Sequence, residues 1–217
     1  MTRVIAISDT HSRHNQVKIP DGDILIHAGD ITSLGSKDQV SDFLFWFSRQ
    51  PHKHKIFVAG NHDWWLANHK NIISTIIPSN VTYLNNQEVV IEGIKIYGSP
   101  YSSKYSFLCF GLDDMELVHN WNLIPSDTDV LVTHTPSYGV LDTGRTGLSM
   151  GSSRLKERLS RLNVKYHICG GVHNAYGVLQ QNGIYSINAS ICTENYDPSN
   201  KPIELDVVNA LQYQTTT

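Results

Sequence analysis

Five short apolar runs punctuate the chain, Val4 to Ile7, Ile24 to Ala28, Lys55 to Ala59, Val130 to Thr133 and Tyr166 to Cys169, and each is followed within two residues by Gly, Asp or His. Runs of four or five residues, rich in Ile and Val and bounded by turn residues, read as strands buried on both faces. Between the second and third run the period changes. Val40, Phe43, Leu44 and Phe47 recur at i, i+3, i+4 and i+7 behind Ser36 as N-cap, and Pro51 closes the pattern, which predicts a core-packing helix. A second, more charged helix is predicted over Ser153 to Leu162, with Leu155, Leu159 and Leu162 as its apolar stripe. Glu88 to Ile91 and Ile94 to Tyr97 around Gly93 predict a hairpin, as do Tyr176 to Leu179 and Ile184 to Ile187 around Asn182-Gly183, a strong type I′ turn signal. The second half therefore mixes antiparallel strands into an otherwise parallel α/β pattern.

Composition narrows this picture without redirecting it. With 217 residues, 40% hydrophobic and 17% charged, the chain has the material for one sizeable core and predicts a single domain over 1–217. No repeat, low-complexity tract or linker interrupts it, and only the tail after Val208 is expected to fray. A net charge of -3 and a pI near 6.4 argue against a broad nucleic-acid-binding face, so extended nucleic acid is not an expected partner. The three cysteines, Cys109, Cys169 and Cys192, show no CxxC pairing and favour a reducing compartment. The first residues enter a strand directly, and no stretch of 18 apolar residues occurs. A cytoplasmic protein without membrane partners is the expectation; the oligomeric state is open.

The chemistry lies where the strands stop. Asp9-Thr10-His11, Gly29-Asp30, Gly60-Asn61-His62-Asp63, Thr133-His134 and Gly170-Gly171-Val172-His173 follow the five apolar runs in turn. In layered α/β sheets, ligands bind beyond the carboxyl ends of strands, where loops distant in sequence converge. Carboxylates, an amide oxygen and several imidazoles form a ligand set suited to Mn, Fe, Zn or Co rather than Ca. A two-metal hydrolytic site is the expected product, and no GxSxG nucleophile motif competes with it.

These blocks resemble the calcineurin-like metallophosphoesterase family, whose pattern is DxH, GD, GNH[DE], a lone His after a strand, and GHxH. All five occur in the family's order from Asp9 to His173. The fuller strings Ser8-Asp9-Thr10-His11-Ser12-Arg13-His14 and Val132-Thr133-His134-Thr135-Pro136-Ser137-Tyr138-Gly139-Val140-Leu141-Asp142 resemble its metallophosphoesterase-domain-containing branch, associated with phosphodiester hydrolysis. The resemblance implies a layered mixed-sheet sandwich flanked by helices. It implies one divalent metal on Asp9, His11, Asp30 and His173, a second on Asp30, Asn61 and His134, and Asp30 as the bridge. Two-metal hydrolases hold their ions about 3.5 to 4 Å apart, and a hydroxide bridging them is the expected nucleophile. His62 is the expected general acid; Asp63 either orients its imidazole or caps the following helix. Manganese is the favoured metal, with Fe, Zn or Co as alternatives.

One position departs from the family pattern. Gly171 stands where the first His of GHxH would ligate the second metal, which leaves that metal three protein ligands and opens space for a base or phosphate of the substrate. A Gly171→His change is expected to restore the ligand, unless the backbone there needs glycine. Arg13 and His14 could neutralise a phosphate or belong to an ordinary loop. Tyr101, Tyr105, Tyr138, Trp64 and Trp65 could stack on a base, with packing the more common fate of each. Gly144, Gly147 and Gly151 suggest a loop carrying Arg145, and His27, His52, His54, His69, His119 and His167 read as structural or surface residues. The expected activity is metal-dependent hydrolysis of a small phosphodiester, a cyclic nucleotide or similar; the alternatives are a phosphomonoesterase and a slow nucleotide-binding regulator.

Overall fold

Thirteen strands and four α-helices form among residues 1–104 and 108–208, the residues that the computed structural model describes. In chain order they are β1 (Thr2–Ile7), β2 (Ile24–Ala28), α1 (Lys37–Ser48), β3 (His54–Val58), α2 (Trp64–Asn68), β4 (Thr82–Tyr83), β5 (Gln87–Ile91), β6 (Ile94–Ser99), β7 (Ser102–Ser103), β8 (Gly111–Leu112), α3 (Asp114–Asn122), β9 (Val130–Thr133), α4 (Ser153–Leu159), β10 (Tyr166–Cys169), β11 (Gly177–Gln181), β12 (Ile184–Asn188) and β13 (Ile203–Val207). Two sheets carry the fold, in the orders β13-β1-β2-β3-β4 and β11-β12-β10-β9-β6-β5. In the first, β1 to β4 are parallel and β13 lies antiparallel to β1. In the second, β12, β10, β9 and β6 are parallel, and the two hairpins supply the antiparallel edges.

The alternation of side chains along each strand decides the layering. Val4, Ala6, Ile26, Ile56 and Val58 point from the first sheet into a core shared with Ile96, Val130, Val132, Ile168 and Ile187 of the second. Their neighbours Ile5, Ile7, Leu25 and Phe57 face the other way, where Val40, Phe43, Leu44 and Phe47 of α1 cover them. On the outer face of the second sheet, Tyr97 and Leu131 pack with Leu117 and Trp121 of α3 and Leu155 and Leu159 of α4. The result is a helix–sheet–sheet–helix sandwich. Because both faces of the central strands are covered, they carry continuous apolar runs.

Several boundaries differ from the sequence reading. The Ser36 side chain caps α1 by accepting from Gln39 N, as expected. The second helix starts at Ser153 as expected, behind Ser152, whose side chain accepts from Leu155 N, but it ends at Leu159 and not Leu162, because the last turn tightens at Ser160. Asn182 and Gly183 both have positive φ, 52° and 78°, as a type I′ turn requires. α3 escaped notice although Asp113 and Glu116 form a full capping box, because its apolar stripe is thin. β13 escaped because it alternates only weakly, yet it pairs with β1 along its whole length. The tail expected to fray, after Val208, lies outside the described residues, and so does Tyr105.

Candidate metal centre

Parallel strands from the two sheets end on the same side of the sandwich, and their loops interlock there. Asp9 N donates to Gly29 O, His11 N to Asp30 O and Gly170 N to His134 O, and Gly171 N donates to the Asp9 carboxylate, so the loops after β1, β2, β9 and β10 form one bonded unit. Asp9, His11 and Asp30 take left-handed backbone, with φ of 52°, 42° and 55°. Such strain at non-glycine residues costs roughly 1 to 3 kcal/mol each and persists only where the surroundings impose it. It turns the three side chains inward, and all three are buried.

The hydrogen bonds of the imidazoles show what the centre is built to receive. Nδ1 of His11 lies 3.2 Å from Thr32 O, that of His134 3.0 Å from Ala28 O, that of His173 2.9 Å from Thr193 O and that of His62 3.1 Å from Ser33 O. A carbonyl only accepts, so each Nδ1 donates its proton, and a neutral ring then presents a bare lone pair at Nε2. His11 Nε2 faces His173 Nε2 at 3.2 Å, and His134 Nε2 faces Asn61 Oδ1 at 2.9 Å. Acceptors held head to head repel unless a proton or a cation lies between them. Ligands about 2.1 Å from a shared cation stand roughly 3 to 3.5 Å apart, so the centre has the spacing of a coordination shell.

The carboxylates complete three overlapping groupings. Asp9 Oδ1 lies 3.4 Å from His173 Nε2, and Asp30 Oδ2 lies 3.8 Å from His11 Nε2 and 3.4 Å from His134 Nε2. Asp9 with His11 and His173, His11 with Asp30 and His62, and Asp9 with Asp30 and His134 each bring their donor atoms within 4.8 Å of one another. The donor chemistry therefore fits divalent cations, and Asp30 stands between the two sides. The carbonyl bonds to Nδ1 fix the tautomer that ligation needs.

In the metal-free chain the same groups titrate against one another. Burial works to raise the Asp9 carboxyl, but the hydrogen bond and charge of His173 hold it well below the usual carboxylate range. Burial opposes ionisation of Asp30 too, and the charge of His134 outweighs it, bringing its pKa to about 2. The converse holds for the rings. Burial disfavours the charged forms of His134 and His173, yet Asp30 raises the first to about 10 and Asp9 raises the second to about 9. For His11 burial prevails and its pKa falls, despite Asp30 and Asp9.

Supporting residues correct part of the sequence reading. Asp63 neither touches the His62 ring nor caps α2 with its side chain. Its carboxylate accepts from Gly60 N, Ile31 N, Thr32 N and Thr32 Oγ1, so it ties the Asp30 loop to the Asn61 loop. Burial and then the Asp30 charge push its pKa up to about 7, against these donors. His14 is fully buried, packed on Trp46 and Phe43 with Nε2 3.2 Å from Asp42, so it belongs to the helix interface and not to a phosphate site. Arg13 is exposed and does not line the cleft over the centre. His27 and His167 are buried against Thr10 and Thr133, as structural residues.

Gly171 does face the grouping of Asp9, Asp30 and His134. Its N–H donates to Asp9, and a Cβ built on it would lie 3.2 Å from both Nε2 and the carbonyl oxygen of His134. Its φ is +72°, which favours glycine, so the expected repair by Gly171→His would strain the backbone. At Gly60 a Cβ would overlap Asp30 Oδ1, which explains the glycine before Asn61.

A cleft of about 600 Å³ opens above the centre, lined by Asp30, Asn61, His62, Gly171 and His173 and by Leu108, Arg145, Met150, Val172, Glu194 and Tyr196. Arg145, expected on a glycine-rich loop, reaches it, 3.8 Å from Glu194. Of the aromatic residues considered from sequence, Trp64, Trp65, Tyr101 and Tyr138 do not line it. Tyr196 does, and nothing in its local sequence singles it out. Ser190, which donates to Asp9 Oδ2 at 2.8 Å, was equally invisible among ordinary serines.

Comparison with known proteins agrees with this geometry. The family model described as "Calcineurin-like phosphoesterase" matches residues 2–175. The chain is 35% identical to human "Metallophosphoesterase domain-containing protein 1" over 95% of its own length and 71% of that protein. It is 36% identical to "UPF0046 protein K07C11.7" of Caenorhabditis elegans over 93% of its length and 73% of that protein. Among solved structures, phosphopantetheinyl hydrolase from Mycobacterium tuberculosis superposes with a TM-score of 0.62 at 18% identity, over 97% of each chain, which shows a shared fold. With the family match running from β1 through His173, the chain belongs to the calcineurin-like phosphoesterases, metal-dependent hydrolases of phosphoesters.

Proposed function

We propose that the protein hydrolyses a small phosphodiester, a cyclic nucleotide or a similar nucleotide-like ester, with two divalent cations. The observation that carries this reading is the pair of opposed acceptor groups, His11 Nε2 against His173 Nε2 at 3.2 Å and His134 Nε2 against Asn61 Oδ1 at 2.9 Å, with Asp30 between them. Asp9, His11, Asp30 and His173 would hold one ion, and Asp30, Asn61 and His134 the other. Ions bound there supply Lewis acidity and acidify bound water. Manganese is the metal we favour, with Fe, Zn or Co as alternatives.

The chain's own groups define the remaining roles. His62 N donates to Asp30 Oδ1 at 2.8 Å, its ring packs edge-on to His11 at 4.9 Å, and one of its ring nitrogens lies within 4.8 Å of donor atoms of His11 and Asp30, which supports a role for it at the centre. Protonated there, His62 is the general acid for the departing oxygen. A diester is favoured over a monoester by charge: Arg145 is the one arginine lining the cleft among the described residues, and Glu194 already partners it. A monoester dianion calls for more cationic contacts than a diester monoanion. The three buried free thiols fit a reducing, cytoplasmic setting, and among the described residues no helix is long and apolar enough to cross a membrane.

Gly171 favours one rival reading, a slow nucleotide-binding regulator whose second ion is weakly held. Bis(p-nitrophenyl) phosphate and p-nitrophenyl phosphate, offered to the manganese-loaded protein, separate the readings. Turnover of the diester at least about tenfold above the monoester supports the phosphodiesterase. The reverse preference supports a phosphomonoesterase, and tight mononucleotide binding without turnover of either probe supports the regulator.

A further inference from the structure

The turn from Thr193 to Asp197 serves the metal centre in one evident way: Thr193 O accepts from His173 Nδ1 at 2.9 Å and fixes that ring. The turn itself is closed by Tyr196 N to Thr193 O and Thr193 N to Asp197 O, both 2.8 Å. None of these bonds uses the Tyr196 side chain. Its backbone sits at φ +59°, where glycine would be unstrained, so a tyrosine is held there at a cost of about 1 to 3 kcal/mol. An observed outlier of this kind at a site asks for a function of the side chain.

Where the ring lies gives the answer. Its centroid is 4.8 Å from that of His11 and 5.7 Å from that of His173, edge-to-face with both, so it stands directly over the first ligand group. It is nonetheless 39% exposed and lines the cleft. Among the described residues its hydroxyl has no hydrogen-bond partner. Leu108, Met150 and Val172 line the same cleft with apolar surface, so the opening above a highly polar centre has a wall suited to an uncharged organic group. An aromatic face of this kind binds flat rings by stacking or edge contact.

We infer that Tyr196 is a specificity-determining residue that contacts a flat aromatic or heteroaromatic group of the substrate while the phosphoryl group lies on the ligands beneath it. This rests on the phosphoester-hydrolase reading of the centre, but its test needs no turnover. The probes are phenylphosphonate and methylphosphonate, which share a head group and have a P–C bond in place of the cleaved ester, and which differ by the ring. Calorimetric binding to the full manganese-loaded chain, at a pH where both are dianions, should show the phenyl probe about five- to tenfold tighter, the range an aromatic contact supplies. Tyr196→Phe should keep that preference, and Tyr196→Gly, which relieves the strained φ, should bring the two probes within about twofold while methylphosphonate binding and metal content stay at the parent level. Should Tyr196→Gly lose metal, Tyr196→Leu keeps bulk against His11 and decides the matter in the same way. A parent without preference or without binding, a preference that survives both substitutions, or equal weakening of both probes would overturn the inference. Failure of the loaded parent to hydrolyse any diester would sink the phosphodiesterase reading alone, because phosphonate discrimination is measured independently.

Discussion

The two sides of the metal centre are furnished unequally. On the first side, Asp9, His11 and His173 converge, Gly171 N and Ser190 Oγ hold the Asp9 carboxylate, and the Tyr196 ring covers the imidazoles. On the second, His134 and Asn61 meet Asp30, no further imidazole joins that grouping among the described residues, and Gly171 lines the cleft beside it. On the two-ion reading proposed above, the same fold would hold a firm ion beside a looser one, and the looser side is where substrate groups would find room. Asp30 belongs to both sides.

Breaking the shared residue should therefore have the largest effect. Asp30→Asn keeps the hydrogen bonding shape but removes the charge between the two groups, so it should abolish hydrolysis and most bound metal while the fold survives. Elemental analysis and circular dichroism check this; near-normal metal content would end the role of Asp30 as the bridge. His62→Ala comes next. It should slow diesters with poor leaving groups by about 10²- to 10⁴-fold and affect nitrophenyl esters far less, as a lost general acid does. Equal losses on both substrate types would make His62 a ligand or a structural residue.

Smaller effects sharpen the asymmetry. His134→Ala should cost the weaker ion at least about 10- to 100-fold in affinity and leave the other near normal; simultaneous loss of both would show that the sides are not separable. Acid should act in the same direction. His134 and His173, raised to about 10 and 9 in the metal-free chain, must release protons to ligate, so affinity should rise with pH across the range below those values and fall as the rings protonate. A pH-independent metal titration would contradict that. The smallest change is Gly171→His. With φ at +72° and His134 in the way, it should destabilise the protein by about 1 to 2 kcal/mol, a few degrees in Tm, without tightening the second ion. Tighter binding at unchanged stability would restore the simple view that a ligand is merely missing.

Much of this was legible in the sequence because buried parallel strands advertise themselves. Ile24–Ala28, Val130–Thr133 and Tyr166–Cys169 appear as predicted to the residue, and each ligand block follows its strand. The sandwich arrangement and the family follow from the same blocks. What stayed hidden depends on partners far away in the chain. β13 is a strand because β1 offers it an edge, Asp63 is a brace because Ile31 and Thr32 point at it, and His14 is a core residue because α1 closes over it. Tyr196 lay hidden for the same reason: its neighbours in space, His11 and His173, are set by loops from two other strands.

Manganese titration of the metal-stripped full chain by isothermal calorimetry tests the central claim most directly. The account predicts two ions per chain in two phases, with affinities separated by at least about tenfold, and loss of the weaker phase alone in His134→Ala. A single ion per chain, or two ions of equal affinity that His134→Ala weakens together, would contradict it.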